Sequence, residues 1–595
     1  MAEGRGEAVF ERDGIEIEHL RFGPALGMAL MESLGIPEYL DEVAEWSPQR
    51  VLSPGKAVKA IAGTMFTENH RQALHNVALF YRGAPVDRLF GPRAEERSLC
   101  DKSLGRAMDC FAGMDTESLM WAVAGRAKAA AGLAGLHRRP TAPGTTPGLE
   151  DRVAARNVDP SNITIHRSPG EGYGDLPEGV PRPMLGHPKD GSTGRVQYNH
   201  CTVTDEWGLP EYVRTWDGNR DDNAMISEAV RFLEEHFGEL MDDRRMVAVA
   251  DGKMMFKGLV EHMLDEGTLF VSKPPRNFCH GVCEEVVREA LEKGLACIGR
   301  IGSRKDSPEI HAYETARECF GHELRFIVYR KGDLGKAVRH DRRMDALRLK
   351  EMKASMERAS FESREAAERA YAEALAEAGI TTHSTTHSVR LRRRADGGEE
   401  WKVSMKHSFD ERMAVRAASE DVEVMATNLP APGASGPEAA DGPEASAFDV
   451  VALYFGQWKV ESCFKEMKSG LGADTVYLQR PDREKTMILI IHIAALVRGI
   501  MKQLLRLQYG KGHAIPYNVT PERVFLLTQN VRVTYDRSSG TMRLSGSAED
   551  MADAMSFVDA LGIDPSRLLG RPPPGRARSA QALDVSAIFR QRCRR

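Results

Sequence analysis

The stretch Tyr454-Phe455-Gly456-Gln457-Trp458-Lys459-Val460-Glu461-Ser462-Cys463-Phe464-Lys465-Glu466-Met467-Lys468 decides how this chain is read. It holds no proline, one glycine near its start and good helix formers toward its end, which predicts a single helix. At about 100° per residue, Tyr454, Gln457, Glu461, Lys465 and Lys468 share one narrow polar face. Val460, Phe464 and Met467 occupy a neighbouring sector suited to packing inward. A carboxylate among lysines is usually a solvated stripe with spaced charge pairs. Two aspartates upstream argue for more than that.

At 595 residues the chain exceeds one ordinary core, so several domains are expected. Hydrophobic residues make up 42% and charged residues 28%, a soluble globular composition. The sequence shows no apolar run read as membrane-spanning and no apolar h-region at Met1-Ala2-Glu3-Gly4. No membrane partner and a cytoplasmic location are therefore expected. Nine scattered cysteines, an odd number, suit a reducing compartment better than a disulfide framework. Cys279-His280-Gly281-Val282-Cys283, with Cys297 and Cys319 beyond, match no common zinc ribbon or finger, so zinc is not assigned. Net charge is −5, from 81 basic and 86 acidic side chains, which neither marks nor excludes a nucleic-acid binder. The segment Arg571–Arg595 is a local basic patch, either a solubilising tail or a contact to phosphates.

Taken in order, residues 1–136 read as a helical N-terminal domain for DNA binding or dimerisation, and 137–150 as a Pro/Gly/Thr-rich linker. From 151 the texture turns to strands. Val153–Val158 leads into Asp159 at a strand end, Ile163–Ile165 resumes after a polar interruption, and Tyr198–Asp205 and Leu209–Trp216 form a meander. A helix follows from about Asn223, and then the apolar run Met246–Ala250 delivers Asp251 just past its end. That is where open α/β sheets place ligand chemistry, although an aspartate before glycine is also a common helix cap. Residues 279–447 are expected to form a separate insertion of mixed α and β. It contains a highly charged helical stretch from Lys331 to Ala378 and a hairpin turning at Asp396-Gly397-Gly398. Residues 448–515 hold the opening helix and a core helix over Met487–Leu505, and 516–595 form a C-terminal region ending in the basic tail.

This order of strand–Asp159, meander, helix, strand–Asp251, insertion and helix–Glu461 resembles the DDE transposases of the IS-four-like insertion-sequence superfamily. The helix is similar to that group's Y-R-E-K signature through Tyr454, Glu461 and Lys468, with Gln457 where arginine is expected. Gly218-Asn219 with Asp221 or Asp222, the pair Thr427-Asn428, and Lys189-Asp190-Gly191 with Arg195 and Gln197 also resemble segments of the group. The resemblance covers roughly 20–510. It implies an α/β fold: a ribonuclease H-like catalytic core, 151–278 with 448–515, interrupted by the insertion and preceded by the helical domain.

It further implies a cut-and-paste transposase that binds terminal inverted repeats, cleaves DNA and joins the freed 3′-OH to a target. Asp159, Asp251 and Glu461 are then the catalytic and metal-binding residues, with Asp190 an alternative first acid. The cofactor is Mg²⁺, two per active site about 3.5–4 Å apart, with Mn²⁺ able to substitute. Tyr454, Gln457, Lys465, Lys468, Lys189 and Arg195 are the DNA contacts implied. Partners are double-stranded element ends and target DNA, bound by a homodimer. Loss of the arginine at 457 removes a fixed positive charge, which leaves a second reading open: a catalytically inactive DNA-binding protein derived from a transposase. A metal-dependent nuclease without strand transfer would share the same residues.

Overall fold

The computed structural model describes residues 17–68, 72–134, 145–165, 176, 179–186, 194–240, 243–302, 307–394, 397–434, 442–472, 478–509, 511, 515 and 518–570. Lys189, Asp190 and the basic tail lie outside the described residues. The fold is mixed α/β, with a helical N-terminal region and several sheets.

The N-terminal helices form where local signals predict them. Pro54 opens Pro54–Gly63 at a position where its missing N–H costs nothing, and the Ser53 hydroxyl accepts from the Lys56 amide. The strand Ile17–Arg21 precedes these helices. It pairs with Arg532–Asp536, which pairs in turn with Thr541–Ser545, so the two ends of the chain share one small sheet.

From the meander onward the elements are β1 (Val153–Ile165), β2 (Val196–Thr204), β3 (Pro210–Trp216), α1 (Asp222–His236), β4 (Arg245–Ala250), α2 (Lys257–Asp265) and β5 (Leu269–Ser272). Next come α3 (Val282–Lys293), β6 (Ala296–Arg300), β7 (Glu309–Cys319), β8 (His322–Lys331), α4 (Leu334–Arg358) and α5 (Arg364–Ala378). Then follow β9 (His383–Arg393), β10 (Glu399–Phe409), β11 (Glu423–Thr427), α6 (Ala447–Phe455), α7 (Trp458–Lys465) and α8 (Pro481–Gln508). The expected strand end at Asp159 is absent. β1 is one 13-residue strand, and Asn157 to Ile165 pair without a break against β2. The ladder overrides the local polar interruption.

Two compact units emerge. The first gathers the described residues within 1–138, 154–248 and 456–595. In its sheet β1 lies between β2 and β4, while β3 and the short strand Met184–Leu185 pair along the other edge of β2. Alternation is lost here because nearly every residue of β1 and β2 is buried, as in a sheet covered on both faces. α8 runs through this unit's core. Its composition would suit a membrane span, but 89% of its most apolar window is buried within the protein. Arg483 anchors it by a two-pronged ion pair to Asp109 of the N-terminal helices, at 2.7 and 2.8 Å.

The second unit comprises the described residues within 139–153 and 249–455. Its sheet runs β5-β11-β8-β7-β6 with each neighbouring pair antiparallel, so strands from the expected insertion continue the sheet from β5. The β9–β10 hairpin forms its own two-stranded sheet and packs with α4 and α5 around Leu349, Met352, Tyr371, Val403 and Met405. Asp345 of α4 ties this layer together by accepting from the Thr381 amide at 2.9 Å and from the Thr382 amide and hydroxyl at 2.8 Å.

Candidate functional site

In the first unit, register and contacts fix the face on which Asp159 lies. Asp159 pairs directly with Thr202, and Ser161 with His200. Cross-strand partners project from the same face of a sheet. The Thr202 hydroxyl lies 2.9 Å from Nε2 of His492 on α8, and the His200 ring meets Phe464 of α7 edge-on at 5.6 Å. Asp159 and Ser161 therefore face the layer formed by α7 and α8. Asp159 is the single residue of β1 that is not fully buried. Glu461 lies one turn before Phe464 on α7 and is exposed. Among the described residues, its carboxylate makes no hydrogen bond or ion pair. Asp159 and Glu461 thus belong to the same side of one sheet.

His492 supports this layer as a neutral ring. Its Nδ1–H donates to the Ile488 carbonyl at 2.7 Å, which leaves Nε2 to accept from Thr202. Burial pushes its pKa down to about 4.

The expected single helix over 454–468 is three pieces. α6 ends at Phe455, α7 begins at Trp458, and Glu466–Gly470 form a π-turn. At the break the amides of Lys459 and Val460 bond to Gly456 and Gln457 at 3.0 and 3.1 Å, three residues back instead of four. Gly456, counted as a tolerable helix residue, is where helical continuity fails, in line with its entropic cost. The shared face derived at a uniform 100° per residue therefore does not extend across 456–457. Tyr454 falls in the second unit, while Gln457, Glu461, Lys465 and Lys468 fall in the first. Gln457 is buried, Lys465 is exposed and Lys468 is half-buried within the π-turn. Arg195 is exposed just before β2.

Asp251 belongs to the second unit and directly follows β4, as expected. Its Oδ1 accepts from the Lys253 amide at 3.0 Å, capping the short turn Gly252–Met254, and its carbonyl accepts from the Ser272 hydroxyl at 2.9 Å. The cap leaves Oδ2 uncommitted to that bond.

Other residues singled out in the sequence have structural work. Gly218 presses on β2, where an added Cβ would stand 1.9 Å from the Gln197 carbonyl oxygen. Asp221 caps α1 by accepting from the Ala224 amide at 3.2 Å. Thr427 and Asn428 clamp β5: Thr427 donates to the Phe270 carbonyl at 2.6 Å, and Asn428 accepts from the Phe270 amide and donates to the Thr268 carbonyl, both at 2.9 Å.

A groove of about 320 Å³ opens along α7 in the first unit, lined by Lys459, Cys463 and Glu466 with Lys502 and Arg506 of α8. Glu461 is not part of that lining, although Trp458 and Ser462 on either side of it are. Burial raises the Glu466 carboxyl above the usual range, opposed by Arg498, which lies 2.7 Å away and also pairs with Glu522. Residues sequence reasoning missed are His200, His492 and Arg498. They carry no motif, and only the register of β2 and the packing of α8 reveal them.

Residues 16–125 match a family model described as a domain of unknown function (DUF4277). A search of curated proteins found no match. Among solved structures, a piggyBac transposase synaptic complex with hairpin DNA aligns over 96% of this chain and 91% of that one, at 10% identity and a TM-score of 0.32. A TM-score that low decides neither fold nor function.

Proposed function

We propose that this protein is a DDE-type insertion-sequence transposase with a ribonuclease H-like core. The observation that carries the reading is the placement of Asp159 on the central strand β1, on the face over which α7 brings Glu461. The meander β1-β2-β3 followed by α1 and β4, with Asp251 at the end of β4, is in keeping with such a core.

In this reading Asp159, Asp251 and Glu461 hold divalent metal. An all-oxygen carboxylate set suits Mg²⁺, and the exposed Glu461 together with the Oδ2 that Asp251 does not use in its cap fits that use. Bound Mg²⁺ would supply Lewis-acid stabilisation of in-line displacement at phosphorus. Three carboxylates on one metal pair would repel one another when ionised, so in this reading the site forms fully only with metal and DNA bound. Exposed Lys465 is placed one turn beyond Glu461 to meet a DNA phosphate. Lys468, Tyr454, Arg195 and Lys189 are proposed as further DNA contacts, in a homodimer that brings two element ends together.

A second reading, DNA binding without cleavage, is favoured by one observation: position 457 holds a buried glutamine instead of an arginine. Excision of a marked element from a donor plasmid in cells tests the two. Excision that is lost in Asp159→Ala supports the transposase. No excision by wild type, with end binding retained, supports the binder.

A further inference from the structure

The second unit carries a cluster that belongs to neither reading. Glu309 and His311 lie two residues apart on β7, so they share a face, and Cys297 of β6 pairs directly with His311. One ligand atom from each of the three falls within 4.8 Å of the other two. The register of β6 against β7 shifts between Cys297 and Gly299, and the irregularity brings Arg300 opposite Glu309. Arg300 holds Oε1 of Glu309 at 2.5 Å, while Oε2 turns toward Nε2 of His311 at 3.5 Å. His311 is 8% exposed, and apart from that 3.5 Å approach of Glu309 its buried Nε2 makes no hydrogen bond among the described residues. A buried ring nitrogen in that state calls for an explanation, and a bound ion is one.

We infer that Cys297, Glu309 and His311 form a site for a thiophilic divalent metal of the zinc class. Sulfur, imidazole and carboxylate together match zinc's preferences, and three protein ligands leave a fourth tetrahedral position for water. The thiolate sets this site apart from the all-oxygen Mg²⁺ set proposed above. Zinc–ligand bonds of about 2.0–2.3 Å require the three atoms to draw together by roughly an ångström, which the exposed Cys297 can supply by rotating. Arg300 already neutralises part of Glu309, so the thiolate provides much of the charge the ion needs. Bound metal would staple β6 to β7 at the end of their sheet, and metal binding here is independent of phosphoryl transfer.

The test uses full-length protein stripped with chelator and titrated with Co²⁺ and then Zn²⁺. Wild type is expected to show a thiolate-to-cobalt absorption band and tetrahedral visible bands, saturating at one ion per chain and erased by Zn²⁺. Cys297→Ser, at an exposed position, should abolish the thiolate band, and His311→Gln should weaken binding more than about tenfold. Cys283→Ser, which alters a separate buried thiol, should leave the spectrum intact. Absence of the band in wild type, its persistence in Cys297→Ser, or its loss in Cys283→Ser would each overturn the assignment.

Discussion

His492 makes the stability of the first unit dependent on pH in a way that can be calculated. Its ring sits wholly buried on α8, with Nδ1–H on the Ile488 carbonyl and Nε2 accepting from Thr202. Burial depresses its pKa from 6.5 to about 4. The unfolded chain therefore takes up a proton that the folded chain refuses. The stabilising contribution is fully present above pH 6.5 and is lost as pH falls toward 4. Each pKa unit is worth about 1.4 kcal/mol, so the full loss is about 3 kcal/mol, with about 2 kcal/mol already gone at pH 5. Denaturant unfolding of wild type and His492→Gln at pH 8, 6 and 5, followed through the first unit, isolates the effect, because every other titrating group is common to both. Wild type should lose about 2 kcal/mol more than the variant between pH 8 and pH 5. Parallel pH profiles would refute the neutral, buried ring and with it the hydrogen-bond assignment to Thr202.

Three further outcomes follow from particular contacts. Gly218→Ala should destabilise by more than about 2 kcal/mol in thermal unfolding, since its Cβ would meet backbone that cannot yield. Asp345→Ala should cost about 3 kcal/mol and loosen the β9–β10 hairpin in hydrogen exchange, because two amides and two hydroxyls lose one carboxylate oxygen. Asp251→Asn keeps a side chain that caps as well as aspartate does, so melting should barely change. Cleavage should nevertheless disappear, and full activity in this variant would reduce Asp251 to a cap.

Much of the fold was readable locally. The apolar run ending at Ala250, the hairpin turn at Gly397 and the apolar stretch of α8 each encode their element within a short window. What escaped depends on distance. Nothing near Ile17 foretells pairing with Asp536, and β8 finds β11 only across α4, α5 and the β9–β10 hairpin. Asp159 looked like a strand end because Asp-Pro-Ser is locally turn-like, yet the ladder with β2 holds it extended. The helix break at Gly456–Gln457 hid in a sequence with adequate average propensity, where one glycine was enough to let the chain tighten. Glu461 and Asp159 were both visible as carboxylates in a suggestive order. Their shared face required the register of β2 and the edge-on contact of His200 with Phe464. The Cys297, Glu309 and His311 cluster had no motif spacing, since a cross-strand pair leaves none.

Strand cleavage by purified protein, on labelled DNA carrying the native element ends, tests the central claim most directly. Wild type and Glu461→Gln are compared with Mg²⁺ and with chelator. The account predicts 3′-OH ends from wild type only when Mg²⁺ is present, and none from Glu461→Gln, whose exposed position should leave folding and end binding intact. Cleavage by Glu461→Gln at the wild-type rate, or by wild type in chelator, would contradict it.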